Sequence, residues 1–114
     1  MNIRKANNDD INDILSWRND SLTRQMSLDT KIITKLEHNQ WFNKGQKDKK
    51  IYLLIAEENN NKVSFIKFEI NEKENSAEIS INLNPNERKK KKSFEVIYKS
   101  ILYFKKNNNY KINK

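Results

Sequence analysis

Five consecutive cations, Arg88, Lys89, Lys90, Lys91 and Lys92, stand between a run with strand periodicity and a run with helix periodicity. Where a chain leaves a strand, turns and enters a helix, free N–H groups and the positive helix end point the same way. Such a juncture suits an anion such as phosphate. Upstream, Ala77, Ile79, Ile81 and Leu83 alternate with Glu78, Ser80 and Asn82, the period of a half-buried strand over residues 76–83. Asn84-Pro85-Asn86 ends it, because proline lacks a backbone donor and fixes φ. Downstream, Phe94, Ile97, Ile101 and Phe104 recur at spacings of three and four and predict a helix over 93–106 with these residues on its core face. The cation run has three readings: a phosphate loop, a nucleic-acid contact or a solvated helix cap. Like charges in sequence repel, which predicts a mobile turn. No aromatic interleaves the run, which speaks against nucleic acid.

Other chemistry is bounded by what the sequence holds. It has no cysteine and one histidine, so thiolate and histidine-built metal centres are not expected. That histidine, His38, precedes Trp41 by one helical turn and sits beside Phe42, which reads as packing more than catalysis. The net charge of +8 rests mainly on lysine in a chain also rich in asparagine and isoleucine. That pattern follows A- and T-rich codons and need not mark a partner. With 33% charged and 35% hydrophobic residues the surface is polar, yet the apolar residues fall in periodic runs, so the chain is expected to fold. Its 114 residues suffice for a single domain, 1–114. No leader-like or membrane-length apolar run is visible, so a cytoplasmic protein without a membrane partner is expected.

The elements that must position these residues follow in order. Residues 3–6 read as a short strand. Asn8-Asp9-Asp10 offers a helix N-cap, and Ile11, Ile14, Leu15 and Arg18 then mark an amphipathic helix over 9–18. Residues 21–33 have no clear period. Thr34 and Glu37 fit a capping box opening a helix over 35–44, with Gly45 at a left-handed C′ position. The apolar run 51–56 reads as a buried strand. Residues 57–62 read as an asparagine-rich turn. In the strand 63–70, Ser64, Ile66, Phe68 and Ile70 share one face, and Val63, Phe65, Lys67 and Glu69 the other. Residues 51–83 thus form an antiparallel meander, and 110–114 a strand parallel to 76–83.

Several of these stretches resemble the GNAT family of N-acetyltransferases, in its branch acting on nucleotide amino-sugars and near the ribosomal-protein N-terminal acetyltransferases. The likeness rests on Ile3-Arg4-Lys5-Ala6 leading to Asp9-Asp10, on Trp17-Arg18-Asn19-Asp20, and on His38 with Trp41-Phe42. It rests also on Ile55-Ala56-Glu57, and on Ala77 to Ile81 running into Asn84-Pro85. The resemblance implies an α/β fold with a mixed sheet in the order β-α-α-β-β-β-α-β, lacking that family's final helix and strand. It implies acetyl-CoA as cofactor, an amine-bearing small molecule or peptide N-terminus as acceptor, and direct attack on the thioester.

By the same resemblance, the backbone of residues 79–83, with Ile81, Asn82 and Leu83, would face the pantetheine arm. The loop Arg88, Lys89, Lys90, Lys91, Lys92 and Ser93 would meet the diphosphate. Arg88 matches the first motif position. Lys91 stands at a motif glycine, Ser93 at a small residue, and Lys89 where relatives often have another glycine. Ser64 likewise replaces a usual glycine. No residue matches the family's later asparagine and tyrosine. Glu78 would accept the amine's proton, or be a strand carboxylate facing a lysine across the sheet. Trp17, Arg18, Asn19 and His38 would line the acceptor cleft. Alternatively Trp17 packs on the sheet and Arg18 pairs with Asp20 or a helix end. A shortened, inactive member or binding module is the alternative function, and a basic nucleic-acid binder the third. An open strand edge would favour self-association or a completing partner chain.

Overall fold

The computed structural model describes residues 1–27 and 30–113. Leu28 and Asp29, in the segment without clear period, and Lys114, at the end of the last expected strand, lie outside the described residues. Five strands form one sheet in the order β1-β2-β3-β4-β5: β1 Asn2–Lys5, β2 Ile51–Glu58, β3 Asn61–Asn71, β4 Ser76–Leu83 and β5 Lys111–Asn113. The first four pair antiparallel, and β5 runs parallel to β4. Helices α1 Ile11–Arg18, α2 Ser21–Gln25 and α3 Lys35–Lys47 lie between β1 and β2 in sequence, and α4 Ser93–Lys105 between β4 and β5. The expected mixed sheet is present, and the element order is the expected one with the short helix α2 added between β1 and β2.

The continuous apolar run of β2 is explained by cover on both faces. Leu53 and Ile55 join Ile14, Trp17, Phe42 and Phe65 under α1 and α3. Leu54 joins Ile66, Phe68, Val96 and Phe104 under α4. The Phe68 and Phe104 rings stack at 4.3 Å, tying α4 to the middle strand. The β2–β3 turn is tighter than the sequence implied, because Asn59 and Asn60 both take positive φ, 52° and 67°. Two left-handed residues match the twist of the strands they join, and asparagine tolerates that region best after glycine.

Four expectations need correction. The register of β2 on β3 shifts between Ala56 and Glu57, so Val63 has no partner of its own and turns into the α4-side core with Ile66 rather than toward Phe65. Gly45 lies inside α3, which runs on to Lys47, and its φ is not positive. A Cβ at Gly45 would stand 3.0 Å from Leu53 Cδ1, so glycine lets the helix approach the sheet. On α4 the fully buried stripe is Val96, Ser100 and Phe104, with Ile97 and Ile101 half-buried, whereas Phe94 is 80% exposed and stacks on Tyr98 outside the core. The small Ser100 is fully buried in that stripe. Within 21–33 the chain forms α2, capped by the Asp20 side chain accepting from Thr23 N at 3.2 Å. The Thr34–Glu37 capping box is formed as expected.

Candidate active site

The register of β3 on β4 sets Phe65 opposite Asn82, Lys67 opposite Ser80 and Glu69 opposite Glu78. Over this face Trp41 of α3 meets Phe65 edge-on at 5.8 Å. The Arg18 guanidinium, at the end of α1, lies 4.1 Å from the centre of the Trp41 ring, within cation–π range. His38 is wholly buried, one turn before Trp41, and its Nε2 is 2.9 Å from the Ile11 carbonyl. Only an N–H can face a carbonyl, so Nε2 carries the proton and Nδ1 accepts from Arg18 Nη1 at 3.1 Å. Burial chiefly, with the Arg18 charge added, lowers the His38 pKa against the opposing effect of the Ile11 bond. His38 is thus a neutral strut that fixes Arg18.

Arg18 opens into a cleft of about 580 Å³, shared with Thr23, Arg24, Lys31, Glu37 and Asn82. A smaller hollow of about 180 Å³ continues it past Lys67 and Ser80 to Ile81 of β4. Among the described residues Arg18 meets no carboxylate, and burial lowers its pKa. Arg24 is held by backbone carbonyls, Nε donating to Asn19 O at 3.1 Å and Nη1 to Thr30 O at 3.2 Å. Both polar atoms of the Asn19 side chain are engaged by Ile33, donating to its O at 2.8 Å and accepting from its N at 2.7 Å. Trp17 is buried in the core beside Ile14 and Phe42. The structure therefore brings Arg18 to the cleft, sets His38 behind it, and gives Trp17 and Asn19 packing and loop-pinning roles. Arg24 and Lys67 line the cavities without having been marked as site residues by the sequence, and so does Trp41, which was marked only as part of the resemblance. Trp41 was detectable only as a neighbour of His38.

The cation run does not stay open. Asn84 pins the end of β4 to β3, its N donating to Val63 O at 2.9 Å and its Nδ2 to Lys62 O at 2.8 Å. Ser64, buried, donates to Asn82 O at 3.0 Å and fixes the same junction. Pro85 then opens a 3₁₀ helix, Pro85–Lys90. The expected repelling run is neutralised in three places. Arg88 Nη2 pairs with Asp20 Oδ2 and donates to Thr23 Oγ1, Lys90 pairs with Glu87 at 2.7 Å, and Lys92 pairs with Glu58 at 2.8 Å. The Asp20 carboxyl, alternatively expected beside Arg18, is held below its ordinary pKa by Arg88. Lys89 and Lys91 have no carboxylate partner among the described residues. Lys91 takes φ 55° and ψ 39°, the left-handed conformation that favours glycine. Ser93 is exposed at the start of α4, whose N-cap residue Lys92 makes no side-chain cap bond.

Two further features complete the site. β5 pairs with β4 only at Ser76, Ala77 and Glu78. Among the described residues no strand lies beside β4 from Ile79 to Leu83, so its outer edge offers free backbone groups there. Glu78 is exposed and faces Glu69, not a lysine, across the sheet. It shares a hollow with Glu72, Glu74, Lys50 and Lys73, one same-face step along β4 from Ser80. Among the described residues no cluster of three metal-ligating side chains exists, and no helix is long and apolar enough to cross a membrane.

No protein-family model matches the sequence, and no curated protein sequence matches it significantly. Solved structures do. An N-acetyltransferase from Staphylococcus aureus Mu50 superposes with a TM-score of 0.75 at 25% identity, over 91% of this chain and 66% of that one. Spermidine N-acetyltransferase from Vibrio cholerae, in complex with CoA and spermine, gives 0.75 at 19% identity, over 90% and 62%. Ribosomal-protein-alanine N-acetyltransferase from Brucella melitensis gives 0.62 at 21%, over 77% and 57%. The fold is that of the GNAT N-acetyltransferases, and the chain spans less than two thirds of each of these neighbours.

Proposed function

We propose that the chain binds acetyl-CoA along the open edge of β4 and transfers acetyl to a primary amine held in the Arg18 cleft. The single observation that carries this reading is the free edge Ile79–Leu83, which ends at a cationic turn and continues sideways into that cleft. Backbone groups of Ile81 and Leu83 suit the amides of a pantetheine arm, whereas the Asn82 carbonyl is already taken by Ser64 of β3. Lys89, Lys91 and the first-turn amides of α4 suit a diphosphate, and Arg88 would join them on leaving Asp20. Acetyl-CoA, when bound, supplies an activated thioester for direct attack by the free amine. Glu78, on the face that carries Ser80, would take the ammonium proton through water. The acceptor classes that the resemblance implies are an amino-sugar of a nucleotide-sugar and a protein N-terminus. The Brucella melitensis neighbour supports the second by its name.

A second reading is favoured by two observations. Arg88 is already paired with Asp20, and Glu78 lies outside the cleft, which suits a module that holds CoA weakly without turnover. Calorimetric titration with acetyl-CoA at low and physiological salt tests both readings. Binding with thiol release on adding amines supports the transferase. Binding without release supports the module. No heat at either salt removes both.

A further inference from the structure

We infer that the acceptor taken by the Arg18 cleft carries a carboxylate or phosphate besides its amine, and that the cleft rejects polyamines. This rests on the acetyl-transfer reading for the word acceptor; the preference for an anion rests on the cleft alone. Among the described residues, the cations Arg18 and Arg24 line it together with one carboxylate, Glu37. Glu37 is already used in the cap of α3, its Oε1 accepting from Thr34 Oγ1 at 2.8 Å and Thr34 N at 3.3 Å. Lys67, in the adjoining hollow, is already paired with Glu69 at 3.5 Å, so the orienting charge is that of Arg18.

Arg18 supplies the orientation. A guanidinium has five N–H donors in one plane, and here one is used on His38 Nδ1 while Trp41 holds the plane from one side. Among the described residues the remaining donors have no carboxylate, although the group is half-buried. A partly desolvated cation without a counter-charge is unfavourable, and an anionic ligand relieves that penalty with bidentate hydrogen bonds. The same field repels a polycation. The sign of this cleft is therefore opposite to what a polyamine such as the spermine in the Vibrio cholerae complex would need.

The test uses the full chain and tryptophan emission, since Trp41 lies under Arg18. Matched ligands are titrated: a 2-amino-sugar and its phosphate ester, an amino acid and its amide, and spermidine. The anionic member of each pair is expected to bind at least about tenfold tighter, about 1.4 kcal/mol. That ratio should collapse in Arg18→Gln, survive in part in Arg18→Lys, and persist in Lys89→Ala/Lys91→Ala. Equal binding within pairs, tightest binding of spermidine, or loss of the ratio in the loop double variant would overturn the inference. Should Arg18→Gln fail to fold by circular dichroism, the wild-type pairs and Arg18→Lys decide. Acetyl-CoA calorimetry on the same sample separates the two claims. An anion preference without acetyl-CoA binding leaves the cleft assignment standing and removes acetyl transfer. Acetyl-CoA binding and turnover with no anion preference does the reverse.

Discussion

Arg18 donates to Nδ1 of His38, and the opposite nitrogen of the same ring donates to the Ile11 carbonyl. One buried imidazole thus joins the start of α1, the end of α1 and α3. His38→Ala would leave the Ile11 carbonyl without this donor, and a loss of about 1–3 kcal/mol in denaturant unfolding is expected. The wild-type ring should remain neutral with its proton on Nε2, below the usual pH of titration, by ¹⁵N NMR. Because the folded state lowers this pKa, the unfolded chain binds the extra proton first. The His38 contribution is therefore fully present well above pH 6.5 and declines as pH falls through that value. A ring titrating above its ordinary value would contradict this geometry.

Asp10 is fully buried and is gripped by Arg4, through two bonds of 2.8 Å, and by Lys62 at 2.8 Å. It also accepts from Asn7 N at 2.8 Å. Burial opposes ionisation, yet these partners together hold the carboxyl far below its ordinary pKa. The depressed value means stability that is present above pH 3.8 and lost as pH falls below it. Asp10→Ala should cost about 3 kcal/mol, since two cations lose their shared acceptor. Chemical denaturation between pH 3 and 7 checks both, and a flat acid limb in the wild type would refute the linkage.

Gly45→Ala sets helix propensity against space. Alanine gains about 1 kcal/mol in a helix interior, while overpacking costs about 1–3 kcal/mol. With its Cβ 3.0 Å from Leu53 Cδ1, the variant is expected to lose about 1 kcal/mol net. In a Leu53→Ala background the same change should become stabilising. A double-mutant cycle without that reversal would disprove the close-approach role.

Lys91 holds a conformation that disfavours any residue with a Cβ. Lys91→Gly should raise stability by about 0.5–1 kcal/mol, because the left-handed region costs an L-residue about 1–2 kcal/mol and glycine returns part through a freer unfolded chain. Lys91→Ala should give no such gain. Melting curves of the two variants decide it.

Asp20→Asn keeps an oxygen to cap α2 and removes the charge that holds Arg88. Acetyl-CoA should then bind about threefold to tenfold tighter at low salt, with the melting temperature nearly unchanged. Weaker binding would show that Arg88 serves the cofactor from its paired position.

Much of this frame was legible because local signals agreed with tertiary demands. The alternation of Ala77 to Leu83, the Thr34–Glu37 box and the doubly covered run at 51–56 each follow from one rule. Phe94 misled because hydrophobicity at the right spacing does not say which of two adjacent stripes meets the sheet, and the stripe of Val96, Ser100 and Phe104 is the buried one. Gly45 fits either a cap or a close contact, and only Leu53 decides. At the candidate site, Arg18 was visible as a residue type in a recognisable string. That it meets no carboxylate among the described residues was not, because that depends on Asp20 having turned to Arg88 across 68 positions of sequence. The lysine run likewise looked unsatisfied, since Glu58 pairs with it from a distant strand.

The bare side of β4 between Ile79 and Leu83 has a practical meaning at the bench. Main-chain groups that can receive an amide-bearing arm can equally receive a stray extended peptide, including a neighbouring copy's. Occupancy and colloidal behaviour are thereby coupled: a preparation saturated with acetyl-CoA should scatter less light on concentration than the ligand-free one, and a five-residue strand mimic should displace one as it displaces the other.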